Sequence, residues 1–570
     1  MIRRRHLAAA SVWLFVFVVY SFTLCPTIYL IDAGELTTVA ATLGIAHPTG
    51  YPLYTLLARL AVLMPAGSVA VRVNVLSALL GSCAAFVFYI LLQRLLKDSL
   101  LALVPTSLLA FSHTLWNTSL SAEVYPLTAL FITLMLLLVR PLSATARLYL
   151  MAFVAGLACT NHMIIATVLL PLAVYVLVRH RPKPSHTFAA LAFFALGLSV
   201  YFYLPVRSAQ DPLLNWGNPH TLERFIWHTT GKQYRVWMFS SPAGEILVNL
   251  KNELVHIARE WLYVYLVLIG LGLRNLYRAD RPFFWLCIGI VVVNLLYGIN
   301  YSIPDIETYF LPTIVILCLV SGYGLYSLKR YLKKWAALAA ALMPLLLNFA
   351  SSTLQDNYGG YDLGKNILAS LPSNSIVLTD YWDIYSPAIY IREIEKQHGD
   401  IWVIDKELLR RSWYFRYLEH EYPALYRDSR TQIDRYGRLL DDFEHDRLKN
   451  PEEIQRCYID MINSFVERNS RQRRCFVLLF GSPMDNAQIL PSWSRTPYGF
   501  AYELAESLST AVFDYARFHI RKPPFTADPR LRYNMNIYRK VALDRAGFLE
   551  RLGRVDEAQR VRDWIRREFD

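Results

Sequence analysis

Long apolar runs alternate with short polar segments through the first 350 residues of the chain. Runs of about 17–25 apolar residues are long enough to cross the hydrocarbon core of a bilayer. The pattern predicts eleven membrane-spanning helices, some of them short, near 7–25, 71–93, 100–116, 124–140, 148–161, 162–179, 187–205, 259–278, 283–300, 309–328 and 335–351. The fold class that follows is a polytopic α-helical membrane protein.

The apolar stretch 51–65 is different, because it contains Arg59 and is short. It predicts an interfacial or re-entrant helix rather than a span. If it crossed the membrane, every later loop would change sides.

The pattern after residue 352 is that of a globular domain. Runs typical of strands occur at 375–380, 401–405 and 475–480, and helical patterns separate them. This alternation predicts a small α/β domain. The end of the chain predicts a pair of helices with a break at Gly553. We therefore expect two domains, a transmembrane domain at 1–352 and a soluble domain at 353–570.

The net charge of +13 arises from 58 Lys and Arg against 45 Asp and Glu. Its placement argues against nucleic-acid binding, because the basic clusters lie between apolar runs. They occur at the N-terminus and near 95, 140–147, 179–184, 274–281 and 329–334. Loops rich in Lys and Arg stay in the cytoplasm, so the N-terminus is predicted inside and the C-terminal domain outside.

Two carboxylates follow the first predicted span, on its outer side: Asp32 and Glu35. Ionisable groups near membrane depth are costly and mark candidate sites. A sugar transfer with a phosphate leaving group needs one carboxylate as a base and no acid, since the phosphate departs as an anion. Asp32 is the candidate base. The alternative is that both acids simply favour a helix N-terminus.

Further polar residues lie at the outer ends of predicted spans and are candidates for binding a substrate or its phosphate. These are His47, Arg72, Glu123, Asn161, His162, Arg207 and Asp305. Each has a structural alternative. His47 could be a turn residue within "HPTGYP", Arg72 could extend to lipid headgroups, and Glu123 could favour a helix N-terminus. Arg207 opens an outer stretch rich in aromatic and basic residues, which suits an anionic lipid headgroup and a sugar ring, or an aromatic belt at the interface.

The cysteines predict at most one disulfide. Cys457 and Cys475 would lie in an oxidising compartment and could form a disulfide. The Cys-x-x-Cys and His-Glu-x-x-His spacings typical of metal ligands do not occur in the sequence.

Several motifs together resemble one known family. They are "DAGELTTVAATLGIAHPTGYP", "VRVNVLSALLG", "AEVYPLTALF", "TNH", "YLPVRSAQDPLLNWGNP" and "IPDIETYFLP", followed by "NSIVLTDYWDIYSPAIYIREIEKQHGDIWVIDKELLRRSWY" in the soluble part. The family is that of the transmembrane O-mannosyltransferase of plexin-type IPT domains and its bacterial relatives, within the GT-C superfamily. The resemblance covers nearly the whole chain.

The resemblance implies an inverting glycosyltransferase with a GT-C-like membrane domain and an active site on the outer face of the membrane, expected here to be a bacterial inner membrane. The donor would be a polyprenyl-phosphate sugar, with mannose as a candidate, and the acceptor a protein Ser or Thr. Because GT-C enzymes that act on monophosphate donors need no metal, the resemblance also implies no metal and no cofactor. Asp32 and Glu35 match the acidic residue of the first outer loop. The resemblance also implies basic residues that hold the carrier phosphate, for which Arg207 and then Arg72 are the candidates. Met163 departs from relatives that carry a second polar residue after the Asn-His pair, which weakens the case for His162.

Three other classes of function are compatible with the sequence. A transporter or lipid flippase with an external domain would use polar residues at the membrane midplane and inverted repeats. The sequence shows no such repeat, and its polar groups cluster at one face. A GT-C enzyme acting on a glycan or lipid acceptor and a non-catalytic scaffold are the remaining alternatives.

Overall fold

The computed structural model describes residues 2–140, 145–303, 305–479, 483–524 and 528–569, without the side chains of residues 2–5. Parts of the predicted basic clusters at the N-terminus and at 140–147, and the last residue of the predicted strand 475–480, lie outside the described residues. The chain forms two compact units. The first comprises 1–26, 45–210 and 219–355, and the second comprises 27–44, 211–218 and 356–570. The segments 27–44 and 211–218, expected in the membrane domain, thus belong to the second unit.

Helices make up most of the chain before residue 353, and α2 among them belongs to the second unit. They are α1 (Ile2–Phe22), α2 (Ala33–Thr42), α3 (Pro52–Val62), α4 (Val69–Leu96), α5 (Leu103–Ala110), α6 (His113–Thr118), α7 (Tyr125–Leu138), α8 (Thr145–Cys159), α9 (Ala166–His180), α10 (Pro184–Leu198), α11 (Tyr203–Ser208), α12 (Leu222–Thr229), α13 (Ala243–Glu260), α14 (Leu266–Ala279), α15 (Arg281–Gly298), α16 (Leu311–Ser327) and α17 (Lys334–Ser352). Short 3₁₀ segments occur at 163–165, 199–202, 232–237 and 306–310.

Six helical segments among the described residues are long and apolar enough to cross a membrane. They are Val69–Leu96, Met163–His180, Pro184–Ser208, Arg281–Gly298, Ile306–Ser327 and Lys334–Ser352. Shorter apolar helices cover His6–Phe22, Pro52–Val62, Tyr125–Leu138 and Thr145–Cys159. By length and composition the chain is a polytopic α-helical membrane protein. The span number of eleven and the inside position of the N-terminus stay predictions.

Two predicted spans are interrupted. The run 100–116 forms α5 and then α6, because Ser112 caps a new helix by accepting the N–H of Leu115 at 3.3 Å. The predicted span 259–278 begins in α13, which ends at Glu260, and continues as α14. The buried carboxylate of Glu260 accepts the N–H groups of His113 and Thr114 at 2.7 and 2.8 Å, so it satisfies the N-terminus of α6. Both breaks depend on single polar residues, and hydropathy averaged over a whole span does not reveal them.

The second unit contains a five-stranded mixed sheet. Its strands are β1 (Ile376–Thr379), β2 (Trp402–Asp405), β3 (Cys475–Val477), β4 (Ser494–Tyr498) and β5 (Ala501–Ala505). The strand order is β2-β1-β3-β5-β4. β2 and β3 pair in parallel with β1, with Ile376 opposite Trp402 and Cys475, and β5 pairs antiparallel with β3 and β4. Sequence patterns predicted β1 to β3 but not the β4–β5 hairpin, whose strands lack long apolar runs.

Helices accompany this sheet. They are α18 (Gly359–Ser370), α19 (Trp382–Glu393), α20 (Tyr414–Glu421), α21 (Pro423–Asp428), α22 (Arg430–Glu444), α23 (Pro451–Glu467), α24 (Pro483–Gln488), α25 (Pro529–Arg551) and α26 (Val555–Phe569). α25 and α26 pack together, and Gly553 between them has a φ of +72°, which a glycine adopts without strain. Cys457 and Cys475 are buried free thiols, so the disulfide considered from the sequence is not present.

Candidate active site

Asp32 and Glu35 lie at the start of α2, within the second unit. Asp32 directly precedes the first helical residue, yet its side chain makes no capping hydrogen bond to the helix. The carboxylate is half-buried and Glu35 is only 1% exposed. The acids therefore sit where a helix dipole favours negative charge, but the side chain of Asp32 serves another contact.

That contact comes from α19. The indole Nε1 of Trp382 donates to Oδ1 of Asp32 at 2.7 Å, which fixes the orientation of the carboxylate. The hydroxyl of Ser386 accepts the N–H of Glu35 at 3.0 Å. Neither partner had been selected from the sequence, although both lie in the segment "TDYWDIYSP" that supports the family resemblance. An aromatic and polar cluster directly after a predicted strand is the signal that could have found them.

Asp383 extends this support to the C-terminal helices. Its Oδ1 accepts the N–H of Ile31 at 2.9 Å, just before the candidate base. Its Oδ2 accepts bonds from Arg530 Nε at 2.6 Å and Asn534 Nδ2 at 2.9 Å, both on α25. Asp383 is fully buried. A buried carboxylate that is paired and hydrogen-bonded in this way holds a fixed geometry, so α25 and α19 together position the loop before α2.

Gly34 allows α2 to approach α19 closely. A Cβ at this position would lie 2.4 Å from the backbone oxygen of Ser386, which is far inside van der Waals contact. We expect Gly34→Ala to separate α2 from α19, to lower the free energy of unfolding by about 1–3 kcal/mol and to reduce the activity that depends on Asp32. Thermal unfolding of the purified protein measures the first effect. The control is Gly437→Ala on α22, where a Cβ would meet nothing within 4 Å; equal behaviour of the two variants would contradict the close-approach argument.

In the first unit, His47 and His162 both contact Tyr51. The hydroxyl of Tyr51 is hydrogen-bonded to His47 Nε2 at 2.8 Å. The Tyr51 ring lies parallel to that of His162 at a centroid distance of 5.7 Å, and the rings of Tyr125 and Tyr309 contact His162 at 5.1 and 5.2 Å. The Nδ1 of His162 accepts the N–H of Ile164 at 3.2 Å, so the other ring nitrogen carries the proton of the neutral imidazole. His162 thus supports Tyr51, which in turn orients His47.

Gly50 places a further histidine beside this turn. Its φ of +88° suits a glycine, and a Cβ there would lie 2.9 Å from Nε2 of His228. His228 is buried on α12. Burial, together with the nearby His47, lowers the pKa of His228 to about 3. The sequence placed His228 in the aromatic and basic stretch after Arg207 without assigning it a role.

The depressed pKa of His228 predicts acid sensitivity. Above pH 6.5, the ordinary value for histidine, the imidazole is neutral in the folded and unfolded chain. As pH falls below 6.5 the unfolded chain binds a proton first, so stability declines by about 1.4 kcal/mol per pH unit until pH approaches the folded pKa. Unfolding midpoints measured between pH 7 and 5 should fall less steeply in His228→Gln than in the wild type. His220→Gln, which changes an exposed histidine, should match the wild type; equal slopes in all three proteins would contradict the assignment.

Asn161 and Glu123 lie near the start of α7. Nδ2 of Asn161 donates to the backbone oxygen of Val124 at 3.0 Å and to the hydroxyl of Thr128 at 2.9 Å. The N–H of Glu123 donates to the hydroxyl of Ser77 at 3.3 Å. These contacts give Asn161 a structural part in the turn before His162, and its predicted role in substrate binding stays a prediction, as does that of Glu123.

The predicted cationic residues differ in their surroundings. Arg72 donates to the backbone oxygens of Val62 at 2.6 Å, Ala66 at 3.2 Å and Gly67 at 2.8 Å, so its guanidinium closes the loop between α3 and α4. Arg207 is half-buried at the end of α11 and forms a hydrogen bond with the side chain of Gln210.

Asp305, the remaining acidic candidate, precedes the 3₁₀ segment 306–310. Its backbone oxygen accepts the N–H of Thr308 at 3.1 Å.

Comparison with known proteins finds sequence similarity to the members of one family. Residues 32–186 match the sequence profile described as the protein O-mannosyl-transferase TMEM260 N-terminal domain. The predicted resemblance to this family is confirmed. The matched region contains every site residue predicted from the sequence except Arg207 and Asp305, and it begins at Asp32.

Two relatives of the TMEM260 family are similar over most of this chain. The protein O-mannosyl-transferase TMEM260 of Mus musculus is 28% identical over 458 residues, which are 73% of this chain and 65% of the mouse protein. That of Dictyostelium discoideum is 25% identical over 464 residues, 70% of this chain and 57% of the relative. The chain thus spans less than two thirds of the length of either relative.

Solved structures with similar backbones include ArnT from Cupriavidus metallidurans bound to undecaprenyl phosphate. It has a TM-score of 0.47 and 13% identity, over 71% of this chain and 91% of ArnT. The apo state of the same protein has a TM-score of 0.48 and 14% identity over the same shares of the two chains.

Proposed function

We propose that the chain is an integral membrane glycosyltransferase of the GT-C type that transfers a single sugar from a polyprenyl-phosphate carrier to a hydroxyl of an acceptor. Mannose is the favoured sugar and protein Ser or Thr the favoured acceptor, because the relatives with matching sequence are named protein O-mannosyl-transferases. The observation that carries the proposal is the carboxylate of Asp32, at the first residue of the matched region and oriented by the indole of Trp382 at 2.7 Å.

The proposed reaction is a single displacement. Asp32 accepts the proton of the acceptor hydroxyl while the hydroxyl oxygen attacks the anomeric carbon of the sugar. The bond between that carbon and the phosphate oxygen breaks, and the carrier phosphate leaves as an anion without needing a proton. Attack opposite the leaving group inverts the anomeric centre. Glu35, one turn away on α2, is proposed to orient a substrate.

We propose that two side chains bind the carrier phosphate. Arg207 is the main proposed ligand, because a guanidinium donates to phosphate oxygens in a bidentate manner. His47, held by Tyr51, is the second. Arg72 is left out of this set, since its guanidinium bonds the carbonyls of the α3–α4 loop. No metal and no cofactor is proposed, only the lipid-linked donor.

The proposed topology places the N-terminus inside and residues 353–570 on the outer side of the membrane, following the distribution of basic clusters. The expectation of a bacterial inner membrane depends on the resemblance alone, and the two relatives above are eukaryotic. We therefore propose an active site on the outer or lumenal face without naming the organelle or cell envelope.

A transfer assay tests the proposed function. The purified protein in detergent is incubated with labelled polyprenyl-phosphate mannose and with protein, glycan and lipid acceptors in separate reactions. Acceptor-dependent transfer of label with release of the lipid phosphate is expected, and the reactive acceptor identifies the substrate class. Binding of the donor without turnover would instead support a transporter, a flippase or a scaffold.

A further inference from the structure

The helix α13, in the first unit, has its polar and apolar sides reversed relative to a helix of a soluble protein. A soluble helix normally buries its apolar side and exposes its charged side chains. In α13, Glu253, His256 and Glu260 are buried, at 3%, 8% and 4% exposed. Its large exposed apolar side chains are Leu247, Val248, Leu254 and Val255, which are 67%, 55%, 55% and 38% exposed. An exposed apolar surface of this kind marks a contact with a protein or a membrane.

The buried polar side of α13 is a hydrogen-bonded network. His256 lies between two carboxylates, with Nδ1 3.2 Å from Glu253 and Nε2 3.3 Å from Glu260. Glu260 also accepts the hydroxyl of Thr114 at 2.5 Å, in addition to the N–H groups at the start of α6. In helices that meet lipid, ionisable residues face the protein interior and pair with one another. The network therefore fixes the side of α13 that faces the protein.

The apolar side lies opposite this network. With about 3.6 residues per turn, Leu247, Leu254 and Val255 fall on one side of the helix. They line an open hollow of about 650 Å³, mouth included, together with Leu250, Lys251, Ala258 and Tyr263. Lys251 is the one charged residue among these lining residues. A lysine stem packs along apolar surface while its ammonium extends to a phosphate, so this charge is complementary to a phospholipid surface.

The position of α13 is tied to a helix that is long and apolar enough to cross a membrane. Nδ2 of Asn249 donates to the backbone oxygen of Ile299 at 3.1 Å, and Ile299 directly follows α15. The N–H of Phe239, shortly before α13, donates to the backbone oxygen of Asn300 at 2.7 Å. The 18 residues of α15 extend over about 27 Å, close to the thickness of the hydrocarbon core. Its end, and α13 with it, therefore lies near the boundary between acyl chains and headgroups.

A polar flank shows how α13 lies relative to the bilayer. Glu245, Asn252 and Arg259 are exposed and follow one another at intervals of seven residues, so they form one row along the length of the helix. A helix that crossed the hydrocarbon core would carry this row through it at high cost. A helix parallel to the membrane surface keeps the row in water while its apolar side meets lipid.

We propose that α13 is an interfacial helix whose apolar side, with Leu247, Leu254 and Val255, packs on the acyl chains of bilayer phospholipids. The inference goes beyond the proposed function, because it assigns a lipid-binding surface to a segment outside the candidate active site. Lipid on one side and the network of Glu253, His256 and Glu260 on the other hold the helix in place.

Photocrosslinking tests the proposal. The full-length protein, with p-benzoylphenylalanine in place of one residue at a time, is reconstituted in nanodiscs of phosphatidylcholine and phosphatidylglycerol and irradiated. Replacement of Leu247 or Leu254 should give adducts with the mass of one phospholipid, whereas replacement of Asn252 on the polar flank should not. Leu543 is the matched control, since it is an exposed leucine, at 45%, on α25 of the second unit, and its replacement should give no lipid adduct.

The other possible occupants of this surface are outcomes of the same experiment. An adduct between two copies of the protein would assign the surface to self-association, and an adduct with a polyprenyl carrier would assign it to the donor. Either result in place of a phospholipid adduct would overturn the proposal. Absence of lipid adducts at Leu247 and Leu254, or equal yields at Asn252 and Leu254, would overturn it as well.

A substitution gives an independent readout in the same nanodiscs. Leu254→Asp should lower the midpoint of thermal unfolding, because a carboxylate then meets acyl chains. Leu543→Asp, which makes the same change on an exposed helix position of the second unit, should leave the midpoint unchanged. Equal midpoints of the two variants would contradict a lipid contact at Leu254.

Discussion

Asp32→Asn is expected to lower the rate of sugar transfer by about 10²–10⁴-fold, the range typical of a lost general base. The substitution keeps an oxygen that accepts the indole N–H of Trp382, now at 2.7 Å, so the loop before α2 should keep its structure. What it removes is the ability to accept the proton of the acceptor hydroxyl. The expected result is a large fall in kcat with the KM for the donor nearly unchanged.

Asp556→Asn is the matched control for this prediction. Asp556 lies in the first turn of α26 and is exposed, so it shares the helix-start position but not the site. This variant should transfer sugar at the wild-type rate. The transfer rate of Trp382→Phe should lie between those of Asp32→Asn and Asp556→Asn. This variant removes the hydrogen-bond donor of the Asp32 carboxylate but keeps the base. A fully active Asp32→Asn protein would remove Asp32 from the mechanism.

Lys406→Met is expected to destabilise the second unit by about 3–5 kcal/mol, because it leaves a buried carboxylate without its charge partner. Nζ of Lys406 lies 3.0 Å from Asp380, and the two side chains are 1% and 3% exposed. Asp380 follows β1 and directly precedes Tyr381 and α19. Loss of the ion pair should therefore also loosen the helix that holds Asp32, and the variant should lose transfer activity before it unfolds.

The measurement is the apparent midpoint of thermal unfolding of the detergent-solubilised chain, with limited proteolysis of residues 353–570 as a second readout. Arg427→Met is the control, since Arg427 pairs with Asp428 at the surface with side chains 76% and 39% exposed. An exposed pair contributes at most about 1 kcal/mol. The double change Lys406→Met with Asp380→Leu should recover part of the lost stability, because neither charge of the pair is then left buried without the other. Equal effects of the buried and the exposed single variants would contradict the argument.

The local features of the site could be predicted from the sequence. A helix start was the structural alternative for the acids of "DAGE", and α2 begins at Ala33 between Asp32 and Glu35. The strand-like runs at 375–380, 401–405 and 475–480 contain β1, β2 and β3. Both predictions depend on neighbours within a few residues, where spacing and side-chain type suffice.

The partners of Asp32 could not be predicted in this way. Trp382 is 350 positions away in the sequence, and no hydrophobic period connects two such segments. The apolar pattern of the sequence also assigned residues 27–44 to the membrane domain. The contacts of this segment with α19 place it in the second unit instead. His162 shows the same limit, because its role follows from rings on three other elements that only the fold brings together.

The anomeric configuration of the product tests the central claim most directly. A donor of defined configuration is incubated with the wild-type protein and an acceptor, and the configuration of the transferred sugar is determined by NMR. A single displacement with Asp32 as the base predicts complete inversion. Retention of configuration would exclude a single displacement from the face opposite the departing phosphate and would contradict the account.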